Sequence, residues 1–471
     1  MNGCVFGGLG FYVALLAFAC VTPMGAWAAS AEQAPPGEAE IKTILYERVK
    51  VAKKAPGLVV GIVDEKGTRI FAEGVYDVSD ERSVDGDTVF EIGSITKVFT
   101  GLLLADMVKK GEVRLDSPVA EFLPKSVRVP SRNGRQITLA DLATQTSGLP
   151  RLPNNMRFKN PENPYVDYSV DQLYAFLSGY TLPRDIGSLY EYSNLGVGLL
   201  GFALNLEAGT NYEGLVRSRI CRPLGMGDTR ITLSPELQAR LAPGHTSGGQ
   251  ITSNWDIPTL AGAGALRSTA NDLLKFLSAN LGLSDTRLAS AMELERQPRA
   301  SAGSPSMDIG LCWHISKAYG ANLVWHNGGT GGYHSFAGFD LRHRRGVVVL
   351  ANTANSIDDI GFHLLDPRHA LTQFPPATER VAITLMPQTL RRYVGKYELA
   401  PGVLFDLRVE NTRLMAKLDS QPYFEIFPES QTNFFYKVVD AQLTFGFDGA
   451  GKVTQLTLHQ NGRDQVAKKI K

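Results

Sequence analysis

The sequence predicts an α+β domain followed by a small antiparallel β-sheet or barrel. Strand-like apolar runs stand at residues 57–75 and return at 307–351 with helical periodicity between them, so one sheet is expected to join both ends of the first domain. Beyond Pro387 the pattern changes to short alternating runs divided by turns such as Asp448-Gly449-Ala450-Gly451. At 471 residues, 44% hydrophobic and 20% charged, the chain is long enough for two or three domains and ordinary for a folded protein.

Val5 to Cys20 is almost wholly apolar, too short for a comfortable membrane span, and is followed by the small-residue site Ala26-Trp27-Ala28. Residues 1–28 are therefore expected to be a secretory signal, although the segment before the apolar run lacks Lys and Arg. That makes the protein exported, periplasmic or secreted. A lipidated Cys20 is the alternative, with Ala17 a weak match to the required pattern. The first domain is expected over residues 29–380 and the second over 387–471, with Pro375-Pro376 opening the linker.

In chain order, Ile41 to Ala52 has helical character, Gly57 to Asp64 reads as a strand, Glu65-Lys66-Gly67 as a turn and Thr68 to Val75 as the returning strand. Ile95, Val98, Phe99, Leu102, Leu103 and Met107 then recur at i, i+3, i+4, i+7, predicting a helix with one buried face. Gly111 to Pro124 reads as a loop and short helix, and Ile137 to Ala143 as a capped helix before Thr146-Ser147-Gly148-Leu149. Helices dominate from there to about Asn280, broken by a polar insert at Asn154 to Tyr165. Strands follow at 307–314, 323–326, 332–340 and 345–351, and the second domain offers six more, at 403–409, 413–418, 423–427, 434–439, 442–447 and 452–459.

A net charge of +1 offers no basic field to nucleic acid or an anionic membrane, and nothing beyond the first 28 residues looks transmembrane. Cys221 and Cys312 remain after signal removal, and pairing and two free buried thiols are equally natural. The eight histidines show no zinc-type spacing, so neither metal nor cofactor is expected. Gly196-Val197-Gly198-Leu199-Leu200-Gly201 matches the dinucleotide fingerprint, but no strand leads into it and it reads better as small residues in a packed helix. No G-x-S-x-G is present.

Chemistry concentrates in three places. Ser94 and Lys97 sit one helical turn apart, which brings hydroxyl and amine within hydrogen-bonding reach. A serine hydroxyl needs a base, and a lysine becomes one when burial depresses its pKa. Tyr192-Ser193-Asn194 precedes an apolar helix and offers a proton-relaying phenol with an amide donor and acceptor. In Trp325-His326-Asn327-Gly328-Gly329-Thr330-Gly331-Gly332, four glycines at the end of a strand let backbone approach a ligand and aim N–H groups at it; a flexible turn is the other reading.

These motifs in this order, Ser94-x-x-Lys97, Tyr192-x-Asn194 and His326-x-Gly328, resemble the serine penicillin-binding and class C β-lactamase superfamily, as do Phe90-Glu91-Ile92-Gly93-Ser94, Arg222-Pro223-Leu224-Gly225-Met226 and Leu266-Arg267-Ser268-Thr269-Ala270. The resemblance covers about residues 40–355. It implies an antiparallel sheet flanked by helices, with the active site between sheet and helical region. It further implies a nucleophile at Ser94, its proton acceptor at Lys97 and a base or relay at Tyr192. Asn194 would hold the substrate amide, and the N–H groups of Ser94 and Gly329 the oxyanion.

The chain departs from that pattern in having His326-Asn327-Gly328 where such β-lactamases have Lys-Thr-Gly, and Gln145 where many relatives have His. A mostly neutral histidine suits a substrate carboxylate less well than a fixed cation. The resemblance therefore implies an exported serine peptidase, of D-Ala carboxypeptidase, endopeptidase or D-aminopeptidase type. A class C-like β-lactamase, an esterase and a non-turnover penicillin-binding sensor are the alternatives. The substrate is expected to be a peptide or β-lactam, and the oligomeric state is open. Leu390-x-x-Tyr393-Val394-Gly395-x-Tyr397 onward resembles the lipocalin-like β-barrel that some peptidase members carry, either shaping access or assembly or packing passively.

Overall fold

In a computed structural model, residues 34–470 are described, apart from 78, 158, 321, 378, 379, 420, 461 and 462. The expected signal at 1–28 lies outside them. The described residues hold no helix long and apolar enough to cross a membrane. They form two compact units, one built from residues 34–246 and 251–376 and the other from 247–250 and 377 onward.

The first unit is organised on a nine-stranded antiparallel sheet, ordered Ala300–Ser304, Met307–Ile309, His314–Ser316, Leu323–Gly329, His334–Asp340, Arg345–Ala351, Gly57–Asp64, Gly67–Asp77 and Asp80–Ser83. Gly57–Asp64 and Arg345–Ala351 pair centrally, from Leu58 opposite Ala351 to Val63 opposite Gly346, which joins the two ends of the domain. Both faces of this pair are covered, and so its sequence is almost unbroken Val, Leu and Ile. Leu58, Val60 and Ile62 alternate into one core with Ile41, Ile44, Ile360 and Leu364 of the Glu38–Tyr46 and Asp358–Leu365 helices. Val59 and Val63 face the larger core, against Leu273, Leu274 and Leu277 of the Ala270–Asn280 helix. That helix lies so close that a Cβ on Gly61 would stand 2.6 Å from Leu274 Cδ1.

Several expectations need correction. The helix after Ser94 spans Thr96–Lys109 and is buried on all sides from Thr96 to Met107, not on one face. Neighbouring segments pack all round it, and its polar side chains find partners: Thr100 Oγ1 lies 2.6 Å from Tyr212 Oη and donates to the Gly262 carbonyl at 2.8 Å. The expected 307–314 strand is two strands, because Leu311 N is drawn to the Glu295 carbonyl at 2.7 Å and Cys312 takes a left-handed φ of 73°. The 323–326 strand runs on to Gly329, and the strand expected from Gly332 begins at His334. Cys221 and Cys312 are free buried thiols. Gly196, Gly198 and Gly201 lie in the Asn194–Glu207 helix, where a Cβ on Gly201 would stand 2.9 Å from Gly262 Cα.

In the second unit eight antiparallel strands from Gly395–Ala400 to Arg463–Lys469 close a barrel, with Tyr397 opposite Lys469 at the seam. Sequence periodicity predicts six of them. The two it misses are the closing pair, and Arg463–Lys469 carries only Val466 and Ala467 as apolar residues. Tyr397, Phe405, Leu407, Phe434, Phe445 and Leu456 fill the interior, joined by Leu390 and Tyr393 from the lead-in segment.

Candidate active site

The apolar Thr96–Lys109 helix is entered through a 3-10 turn at Gly93–Ile95, and Gly93 has φ 48°, a backbone shape that disfavours a side chain. That turn is pressed against the end of the Leu323–Gly329 strand. A Cβ on Gly328 would stand 2.1 Å from the Ile92 carbonyl oxygen and 2.9 Å from Ser94 N, while one on Gly93 would stand 2.8 Å from Gly329 N. Ser335 Oγ donates to the same Ile92 carbonyl at 2.8 Å. The glycines thus bring strand and turn into backbone contact beside Ser94.

Lys97 is fully buried, and its Nζ lies 2.9 Å from Ser94 Oγ and donates to the Ala263 carbonyl at 2.6 Å. Burial, with the charge of Arg151 nearby, holds its pKa well below the ordinary 10.5. Nζ also stands 4.8 Å from the centroid of the Tyr192 ring. Burial raises the Tyr192 phenol, and its hydrogen bond to Ser94 opposes the rise. Both shifts favour the uncharged forms, amine on Lys97 and phenol on Tyr192.

The Tyr192 segment is fixed by residues that flank it. Gln145, at φ 61°, accepts at its carbonyl from Glu191 N at 2.8 Å and at Oε1 from Ser193 N at 2.7 Å, gripping both neighbours of Tyr192. Ser193 caps the Asn194–Glu207 helix by accepting from Gly196 N at 2.8 Å, and its hydroxyl donates to the Pro150 carbonyl at 2.6 Å. Asn194 Nδ2 donates to Tyr165 Oη at 2.9 Å, leaving Oδ1 buried with no partner among the described residues.

His326 shares a strand face with Gly328, while Asn327 points to the other side and donates to Asp358 at 2.6 Å. The His326 ring is buried, 5.0 Å from the His314 ring and 6.3 Å from the Tyr192 ring. Its Nδ1 lies 2.6 Å from the Asn327 carbonyl, which can only accept, so Nδ1 carries the proton and the unpartnered Nε2 is a lone-pair acceptor. Burial first, then His314 and Lys97, hold His326 well below its usual 6.5, and burial pushes His314 down to about 4.

Ser94, Asn194 and Gly329 line one narrow cleft with Tyr165, Trp255 and Thr330. Lys97, Tyr192 and His326 stand behind it, and Gly328 is buried beneath. Sequence reading passed over Tyr165, Arg151, His314 and Tyr190, whose hydroxyl lies 2.9 Å from His314 Nε2. Tyr165 arrives on the 154–165 insert, which carries no local signal of a site. Arg151 follows Thr146-Ser147-Gly148-Leu149 almost directly, and that adjacency was the available clue. Among the described residues, no group of His, Cys, Asp and Glu is arranged to hold a metal ion.

Comparison with known proteins places the chain in a family. The family model described as Beta-lactamase matches residues 41–364, and one described as Domain of unknown function (DUF3471) matches 379–469. Penicillin-binding protein 4* of Bacillus subtilis is 26% identical over 84% of this chain and 91% of its own length. The D-alanyl-D-alanine-carboxypeptidase/endopeptidase AmpH of Escherichia coli is 36% identical over 41% of this chain, a match spanning 49% of that relative. Among solved structures, a class C β-lactamase from Rhodobacter sphaeroides superimposes with a TM-score of 0.59 at 24% identity, covering 68% of this chain and 95% of that one, a likeness of fold. Since the first model spans well over half of its length, the chain belongs to the beta-lactamase family and is a serine hydrolase.

Proposed function

We propose that the protein hydrolyses peptide amide bonds ending in D-Ala-type residues, as a carboxypeptidase or endopeptidase working through an acyl-enzyme on Ser94. The observation that carries the chemistry is the 2.9 Å approach of a buried, depressed Lys97 amine to Ser94 Oγ. Neutral Lys97 takes the Ser94 proton as Oγ bonds to the substrate carbonyl carbon, and the oxyanion that forms faces the N–H groups of Ser94 and Gly329. Tyr192, protonated because burial raises its phenol, donates to the leaving nitrogen as the C–N bond breaks and recovers a proton from Lys97. Water then attacks the ester, its proton passing to the same base, and Ser94 is released. The unpartnered Asn194 Oδ1 supplies an acceptor for the N–H of the acyl residue.

The substrate class rests on two supports. One is the partial likeness to a D-alanyl-D-alanine-carboxypeptidase/endopeptidase. The other is the neutral His326 where the β-lactamase pattern has a lysine. Residues 1–28 carry the accompanying reading that the enzyme is exported, with the hydrolase over 29–380 and the barrel over 387–471.

The test is intact-mass spectrometry with a penicillin, beside a panel of L- and D-peptides. A persistent adduct on Ser94 with D-peptide cleavage is expected. A transient adduct with antibiotic turnover and intact peptides would make the protein a β-lactamase instead, and an unchanged adduct in Ser94→Ala would overturn the nucleophile.

A further inference from the structure

Arg151 is exposed, and its guanidinium carbon lies 5.0 Å from the centroid of the Tyr192 ring. Its carbonyl accepts from Leu195 N at 3.2 Å, and the preceding Pro150 carbonyl accepts from Ser193, so its backbone is tied to the segment that carries Tyr192 and Asn194. Other basic side chains around the cleft are engaged. Arg267 donates to Glu91 at 3.2 Å, His334 lies 3.1 Å from Asp358, and Lys97 is buried against Ser94 and Ala263. The guanidinium of Arg151 makes no ion pair or side-chain hydrogen bond to any described residue and rests on the aromatic face. A permanent cation is thus held, without a counter-ion, beside the phenol that meets the leaving group.

When the leaving group is a C-terminal amino acid, its nitrogen faces Tyr192 and its carboxylate lies two bonds further on. The planar guanidinium fork can take both oxygens of such a carboxylate, a role that neutral His326 leaves vacant. We propose that Arg151 is the specificity residue that binds the free α-carboxylate of the leaving residue, so that the site prefers to release a C-terminal amino acid. This rests on the acyl-enzyme peptidase reading above. The same charge helps depress Lys97 and partly offsets the rise in Tyr192 and Tyr165, in keeping with its place at the centre of the site.

The test compares an acyl-D-Ala-D-Ala peptide with its C-terminal amide on the full chain, as wild type, Arg151→Gln and Arg151→Lys. Arg151→Gln is expected to lower kcat/KM for the acid about 10- to 100-fold, mainly through KM. Above the acid limb of the pH profile the amide should lose far less than the acid, and Arg151→Lys, which keeps the charge without the fork, should recover only part of the preference. An acid-to-amide ratio unchanged in Arg151→Gln overturns the proposal. A second pair, benzylpenicillin and its methyl ester, followed by the rate of Ser94 adduct formation, separates the two readings. If wild type cleaves neither peptide, the peptidase reading falls, and the acid-to-ester ratio decides on Arg151 by the same criterion. A wild type acylated by none of the four probes overturns both.

Discussion

The hydrolase site and the barrel interior bury polar groups in opposite ways. In the barrel, Tyr397 donates to the Tyr393 carbonyl at 2.7 Å and Tyr393 to the Gln431 carbonyl, and no buried side-chain donor or acceptor among its described residues lacks a partner. Around Ser94, Asn194 Oδ1, His326 Nε2 and His314 Nδ1 are buried without partners. Lys97 is sealed from water with a serine and one carbonyl. Unsatisfied buried groups cost about 1–3 kcal/mol each; the first unit also holds some away from the cleft, at Asn280 and Arg345, but those beside Ser94 are the ones a bound substrate can reach. The difference separates a scaffold, which satisfies itself, from a site, which waits.

The sharpest way to break this contrast is Lys97→Met, which fills much of the same space and removes the proposed base. Activity should fall by about 10³-fold or more, measured as kcat/KM on any substrate the wild type acylates. Stability should move the other way. The folded pKa of Lys97 lies below its ordinary 10.5, so between those two values the unfolded chain binds a proton that the folded one does not. Wild-type stability therefore rises with pH through that window, and the proton-linked gain from Lys97→Met should be fully present below the folded pKa of Lys97 and vanish above about pH 10.5. Equal melting temperatures for the two proteins from pH 6 to 10 would show that Lys97 is not a buried neutral amine.

Asn194→Ala comes next, with an expected loss of about 10- to 100-fold in kcat/KM for substrates with an N–H on the acyl residue and a small change for those without. Equal losses on both kinds would mean that Oδ1 does not meet the substrate. The pH profile gives a finer test. The proposed mechanism requires neutral Lys97, so kcat/KM should fall tenfold per unit on the acid side of its pKa. Because the Arg151 charge contributes to that depression, Arg151→Gln should carry the acid limb to higher pH, even with an amidated substrate that has no carboxylate to lose.

What the sequence made legible is what neighbours along the chain decide. Ser94 and Lys97 are one turn apart in any helix, Thr138 and Asp141 form their capping box within four residues, and the apolar run at 57–64 announces a covered strand before any partner is known. What it hid is decided by residues far apart. Burial of the Thr96–Lys109 helix on every side depends on partners more than a hundred residues away, and the grip of Gln145 on both sides of Tyr192 spans 46 to 48 positions. The closing strand Arg463–Lys469 is mostly polar and pairs through backbone, which leaves no periodicity to read.

The smallest expected effect tests the scaffold half of the contrast. Tyr397→Phe keeps a fully buried ring in place and deletes one hydroxyl, leaving the Tyr393 carbonyl without its donor. A net loss of about 1 kcal/mol is expected, a shift of a few degrees in the melting transition of a unit this size. With two compact units the unfolding can show two transitions, and the shift belongs in the one that barrel-directed variants move. Catalysis should stay within about twofold, because nothing in that interior waits for a substrate. A loss of kcat/KM beyond about tenfold, with the melting shift no larger than expected, would give the barrel a part in the reaction and end its standing as a self-satisfied scaffold.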